Sequence, residues 1–268
     1  MLELIQITND PAFARRCDAL AGFRLFVDLE RLGKAQRQAG HNTFISTHTV
    51  EDVGRIKRVL QHAQLMVRVN PLHPDSRQEV EAVLAQGADS LMLPMFSGAG
   101  QLSRFMDLVA GRVPVVALLE TAEAMASLHK WIGVPGLAEV FVGLNDLHLA
   151  LGQRFMFEPL AAGMVDQVAR AAKQHGLRFG FGGIARMDEG LLPGHDVLAE
   201  HLRLGSSSVI LSRTFNRGEW GDSFEAEVAA VRETEQRLAL RDAAQVQADA
   251  QRVAATIGRI ASGTVRVA

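Results

Sequence analysis

The stretch from Val113 to Asp146 constrains this chain more than any other. It holds two short apolar runs, Val-Pro-Val-Val-Ala-Leu-Leu leading to Glu120 and Val-Phe-Val-Gly-Leu-Asn leading to Asp146. Neither run shows the alternation of a half-exposed strand, so both belong inside a parallel sheet. The interval from Thr121 to Ala138 suits one crossover helix. The two runs are therefore expected side by side, with both carboxylates at the C-terminal edge of the sheet. That edge is where α/β folds carry their chemistry.

The rest of the chain repeats the same unit. A helix is expected from Asp10-Pro11 to about Leu20, ahead of the first core strand. Strands are expected at Arg24–Leu29, Thr43–Thr47, Leu65–Asn70, Ser90–Pro94, Val115–Leu119, Val140–Leu144, Arg178–Gly182 and Ser208–Leu211, with helices between them, including Val50–His62, Ser76–Gln86, Gln101–Ala110 and Pro159–His175. Such a series requires an α/β fold, the (β/α)8 TIM barrel, and 268 residues match its usual size of about 250. The barrel is expected over residues 1–221. Residues 222–268 form a helical extension in which Phe224, Val228, Val231, Leu238, Val246, Val253 and Ile257 recur at helical spacing. As one long helix it would reach about 50 Å, placing part of its apolar stripe on another subunit; the alternative is a helix that bends back over its own barrel. A homo-oligomer is expected on the first reading.

Composition narrows the function classes. A net charge of -2 leaves no basic footprint for nucleic acid. No apolar run approaches the roughly 20 residues of a membrane span, and the first twenty positions carry charges that a signal peptide would not. The lone Cys17 cannot form an internal disulfide, which fits a reducing, cytoplasmic location.

Glu120 and Asp146, at adjacent strand ends, offer hard oxygen ligands suited to Mg²⁺, Mn²⁺ or another divalent ion. Each also has a structural reading: Thr121 as the cap of a helix that Glu120 merely precedes, and Asp146 as the cap of a helix starting at Leu147. Arg68 ends the third expected strand at the same edge. Its planar fork can hold a carboxylate at two points.

Together Arg68-Val69-Asn70, Leu93-Pro94, Leu118-Leu119-Glu120-Thr121-Ala122-Glu123 and Gly143-Leu144-Asn145-Asp146-Leu147 resemble the strand-end motifs of the HpcH/HpaI aldolase and citrate lyase beta-subunit family, in the phosphoenolpyruvate/pyruvate barrel superfamily. The resemblance runs from about Leu25 to Phe215. It implies that Glu120 and Asp146 bind a divalent metal, that Arg68 holds the carboxylate or oxyanion end of a 2-oxo acid substrate, and that Gly143 and Asn145 contribute to the substrate site. The implied reaction makes or breaks a carbon–carbon bond next to an enolate, as in joining pyruvate and an aldehyde into a 4-hydroxy-2-oxo acid. The implied assembly is a trimer or hexamer that exchanges C-terminal helices.

The chain departs from the family at Asp28-Leu29-Glu30-Arg31, where the aldolase branch carries a His after Asp-x-Glu and the acyl-CoA lyase branch an Asp. His48 is the nearest candidate for a substitute base, with Glu30 as the next. An acyl-CoA lyase of the citrate-lyase type and a catalytically inactive binding barrel are the alternative readings. Weaker signals are Gly180-Phe181-Gly182-Gly183, placed where barrels bind phosphate or only turn tightly, Ser97-Gly98-Ala99-Gly100, the cluster His195, Glu200 and His201, and Arg213 as an anion contact or surface ion pair.

Overall fold

The computed structural model describes residues 1–34, 46–212, 215 and 224–263. The apolar runs form the staves of a closed barrel in sequential order: β1 (Glu3–Ile7), β2 (Phe23–Asp28), β3 (Gln64–Arg68), β4 (Ser90–Leu93), β5 (Val115–Leu119), β6 (Leu137–Val142), β7 (Arg178–Ile184) and β8 (Ser208–Leu211). Strands β2, β4 and β5 are buried at every position, which is why their sequences show no polar alternation.

Two expectations about the strands fail in opposite directions, so the total of eight survives. The first strand is Glu3–Ile7, ahead of the Asp10-Pro11 helix. Its buried Gln6 interrupts the apolar pattern and is accommodated by donating from Nε2 to the Ile7 carbonyl at 2.8 Å. The expected strand at Thr43–Thr47 does not stand between its neighbours, because β2 pairs directly with β3. Ser46 and Thr47 lie outside any strand, and 43–45 are outside the described residues.

The chain falls into two compact units, Ile5–Phe141 and Met1–Leu4 with Val142–Ala268. In the first, β2, β3, β4 and β5 form parallel ladders in which Asp28 faces Arg68. Its helices are α1 (Pro11–Asp18), α2 (Val50–Lys57), α3 (Ser76–Ala85), α4 (Ala99–Val109), α5 (Ala122–Ala126) and α6 (Leu128–Trp131). The expected single crossover after β5 is thus two short helices. Trp131 ties them together by donating from Nε1 to the Ala124 carbonyl at 2.8 Å.

The second unit contains α7 (Leu144–Ala150), α8 (Glu158–Ala161), α9 (Met164–Gln174), α10 (Gly194–Leu204), α11 (Phe224–Ala239) and α12 (Ala243–Ala261). Gly163, at φ +72°, separates α8 from α9 where one helix is expected. The C-terminal extension is likewise two helices. Asp242 stops the run by accepting the Gln245 N–H while the Gln245 side chain accepts its own N–H, a capping box that starts α12 afresh. Arg241 donates to the Ala199 carbonyl on α10 at 3.1 Å, and Arg252 pairs with Asp196 at 2.7 Å. Val228, Val231, Val253 and Ile257 are buried within this unit. Much of the apolar stripe expected at a subunit interface is therefore covered by the chain's own helices. No described helix is long and apolar enough to cross a membrane.

Candidate functional site

The site residues of the first unit gather at the C-terminal ends of β2 and β3. In their register Asp28, the last residue of β2, faces Arg68, the last of β3, which puts the pair at the edge. Arg68 donates from Nε to Asp28 Oδ1 and from Nη2 to Asp28 Oδ2, both at 2.8 Å. Its Nη1 lies 3.3 Å from Glu30 Oε2. The Phe26 ring sits 5.7 Å from the guanidinium carbon.

Lys34 completes the group. Its Nζ stands 3.3 Å from Asp28 Oδ2 and 3.3 Å from Glu30 Oε2. Asp28, Glu30 and Lys34 are all buried, and isolated charges so placed would each cost several kcal/mol. Two cations against two anions remove most of that penalty. The sequence reading overlooked Lys34; its signal was a lysine four residues beyond Glu30, the spacing of a local ion pair. Asn70 shapes the turn between them, its Oδ1 accepting the N–H groups of Arg31 and Leu32 at 2.8 and 3.0 Å.

These contacts set the charges. Burial pushes the Asp28 carboxyl up, but the charge and hydrogen bonds of Arg68, then Lys34, hold it well below the usual carboxylate range. Burial works against the Arg68 cation, and Asp28, Glu30 and Glu120 outweigh it, so its pKa is raised. His48 is buried beside them and accepts the Asp28 backbone N–H on Nδ1 at 3.1 Å. Burial depresses its pKa, opposed by Asp28 and reinforced by Arg31.

Glu120 follows β5 and is 2 % exposed. Its Oε1 accepts the Met95 N–H at 3.0 Å, and Met95 takes the left-handed conformation, φ 54°, rare for a side chain of its size. Thr121 is the cap the sequence allows, accepting the Ala124 N–H at 3.1 Å and donating to the Phe96 carbonyl at 2.9 Å. Capping by Thr121 and a buried, oriented Glu120 therefore coexist.

In the second unit Gly143 is the N-cap of α7, which starts at Leu144. Asp146 consequently lies in the first helical turn and is not the cap of a helix beginning at Leu147. Asn145 and Asp146 are both partly exposed. Gly180 to Gly183 lies inside β7 at a register shift against β8, and a side chain at Gly182, φ +51°, would meet Leu144 at 2.9 Å. Packing explains that glycine. Ser97 donates to the Gln101 side chain at 2.7 Å at the entry to α4. His195 lies 3.2 Å from Asp196, Glu200 holds Arg203 at 2.7 Å, and His201 is wholly buried against Phe181; Arg213 is outside the described residues.

Glu120 and Asp146 bring only carboxylate oxygens, the donor type of Mg²⁺ or Mn²⁺, and the hydrogen bond to Met95 fixes one of them. Among the described residues no group of three or more His, Cys, Asp and Glu side chains forms a metal cage. Each carboxylate, taken in its own unit, is of the donor type that an ion such as Mg²⁺ accepts while keeping part of its hydration shell.

Comparison with known proteins bears on the fold and on the family. The chain is 34% identical over 119 residues to a (3S)-malyl-CoA thioesterase of Cereibacter sphaeroides, covering 43% of this chain and 41% of the relative. It is 33% identical over 97 residues to a hydroxypyruvate/pyruvate aldolase of Rhizorhabdus wittichii, covering 34% and 37%. The chain thus spans about two fifths of the length of these curated relatives. Among solved structures, an HpcH/HpaI aldolase from Desulfitobacterium hafniense superposes with a TM-score of 0.61 at 16% identity, over 90% of this chain and 94% of that one. A citrate lyase beta subunit from M. tuberculosis, complexed with oxaloacetate and magnesium, gives 0.61 at 18%, over 88% and 97%. At such identities these likenesses show the fold. The family model for HpcH/HpaI aldolase/citrate lyase matches residues 47–181, half of the sequence, and the chain belongs to that family.

Proposed function

We propose that this protein is a divalent-metal-dependent carbon–carbon lyase of the class II aldolase type, forming or cleaving a 4-hydroxy-2-oxo acid from pyruvate and an aldehyde. The observation that carries the reading is Arg68 at the end of β3, a guanidinium whose charge is balanced by Asp28 and Glu30 and also feels the buried Glu120. An arginine supported in this way presents a fixed cation to an anionic substrate. The names of the Rhizorhabdus relative and of the magnesium-containing M. tuberculosis structure agree with that chemistry.

Glu120 and Asp146 would hold the ion. When bound, it supplies Lewis-acid polarisation of a substrate carbonyl. The chain's own groups do the remaining work. Arg68 orients the substrate carboxylate by exchanging contacts it now makes with Asp28 and Glu30. Lys34, 3.3 Å from both, keeps those carboxylates paired while the exchange takes place. The Met95 N–H holds Glu120 in place. Gly143 and Asn145 line the substrate on the side of Asp146.

The likeness to malyl-CoA thioesterase favours a second reading, a lyase acting on acyl-CoA esters in the manner of citrate lyase beta subunits. Isothermal titration separates the readings. The aldolase should bind pyruvate or oxalate only with Mg²⁺ present. Binding of a CoA ester without oxo-acid binding supports the second reading, and binding of neither identifies a barrel without this chemistry.

A further inference from the structure

His48 looks from the sequence like a general base, yet its surroundings give it another task. A backbone N–H can only donate. Since the Asp28 N–H meets Nδ1 at 3.1 Å, that nitrogen carries the lone pair, and the proton of the neutral ring is on Nε2. A ring in this state has no free lone pair. To accept a proton it would have to break its bond to Asp28.

The ring is also immobilised. The His48 carbonyl accepts from Arg31 Nη2 at 2.7 Å, and its backbone N–H donates to Ser46 Oγ at 3.1 Å. The residue is 7% exposed. Nε2 has no hydrogen-bond partner among the described residues, so a largely buried residue keeps one oriented N–H in reserve. The residue that anchors the ring, Asp28, is the same one whose carboxylate Arg68 holds, so ring and guanidinium are both fixed on one residue.

We infer that His48 is a hydrogen-bond donor, presenting Nε2–H to a carboxylate or enolate oxygen of a small 2-oxo acid, and is not the proton acceptor. The choice of ligand rests on the proposed function; the tautomer does not. Burial, which lowers the ring's pKa against the pull of Asp28, is consistent with the role.

The experiment uses the full chain with ¹⁵N-labelled histidine. Ring nitrogen shifts are read at neutral pH before and after oxalate and Mg²⁺, with a His48→Gln spectrum assigning the signal among nine histidines. A neutral ring protonated on Nε2, whose Nε2 signal moves with oxalate, is the expected result. A proton on Nδ1, or a doubly protonated ring, overturns the inference. An unresponsive ring in a protein that does bind oxalate overturns the donor role and leaves the proposed function standing. Failure of the protein to bind oxalate or pyruvate defeats both. In parallel titrations His48→Gln, whose amide N–H can stand in for Nε2–H, should stay within about threefold of the parent affinity. His48→Leu should lose about tenfold or more, the worth of one hydrogen bond to a charged acceptor. Equal losses in the two variants count against the donor.

Discussion

Asp28 and Arg68 face one another across the β2–β3 ladder and are joined at two points, Nε to Oδ1 and Nη2 to Oδ2, each at 2.8 Å. The pairing register makes them neighbours, and the closed fork gives the guanidinium one orientation. The protein thus holds in its own structure a carboxylate on the group assigned to the substrate carboxylate. On the proposed function, binding at Arg68 would be an exchange of carboxylates.

Arg68→Lys should therefore fare little better than Arg68→Ala. Lysine keeps the charge and loses the planar fork, so oxalate affinity in the presence of Mg²⁺ should fall by about tenfold or more in both variants. Titration calorimetry measures it. A lysine variant with parent-like affinity would show that charge alone suffices.

Arg24 and Glu139 form a second ion pair, buried at 2.8 Å inside the first unit. Glu139→Leu removes the carboxylate paired with the buried Arg24 and should cost about 3–5 kcal/mol in urea unfolding, whereas Arg24→Met with Glu139→Leu should recover most of that loss. A double variant as unstable as the single one would contradict the ion-pair account.

His201 sets an acid limit on stability. Its ring stacks on Phe181 at 3.8 Å, neither ring nitrogen has a hydrogen-bond partner among the described residues, and burial pushes its pKa down to about 3 from 6.5. Because the unfolded chain takes up this proton first, the contribution is complete above about pH 6.5 and lost as pH falls toward 3. At pH 5 the loss is about 2 kcal/mol. His201→Leu should flatten this part of the pH profile in denaturant titrations; an unchanged slope would assign it to other groups.

The barrel was legible because buried parallel strands leave continuous apolar runs, as at Val115–Leu119. Glu3–Ile7 was missed because its buried Gln6 breaks the apolar run, and the local hydrogen bond that its Nε2 donates is displayed by no sequence pattern. The break after α11 was hidden for the same kind of reason: Leu240-Arg241-Asp242 contains no Pro or Gly, and the stop depends on the Asp242–Gln245 cap. Arg68, His48, Glu120 and Asp146 could each be singled out by residue type, the first and third at strand ends, although His48 follows no strand and Asp146 lies in the first turn of α7. The partners of the first two could not. The contact of Asp28 with Arg68 depends on register, and the state of His48 on which atom meets the Asp28 N–H.

Glu120 offers a test of the ion site that spares the fold. Removing the side chain would leave the Met95 N–H unpaired at a strained residue, so Glu120→Gln is the informative change: its amide oxygen can still accept that bond while one ligand charge is lost. Thermal stability should stay within a few degrees of the parent, and the rise in melting temperature given by Mn²⁺ with oxalate should disappear. A variant still stabilised by Mn²⁺ with oxalate would place the ion elsewhere.

The most direct measurement of the proposed chemistry needs no aldehyde. Exchange of the pyruvate methyl protons with D₂O, followed by proton NMR, reports enolate formation whatever the second substrate is. The parent protein with Mg²⁺ or Mn²⁺ should erase the methyl signal, and EDTA, Glu120→Gln and Arg68→Ala should each suppress the exchange. A parent protein that leaves the methyl signal intact with either ion would contradict the aldolase account.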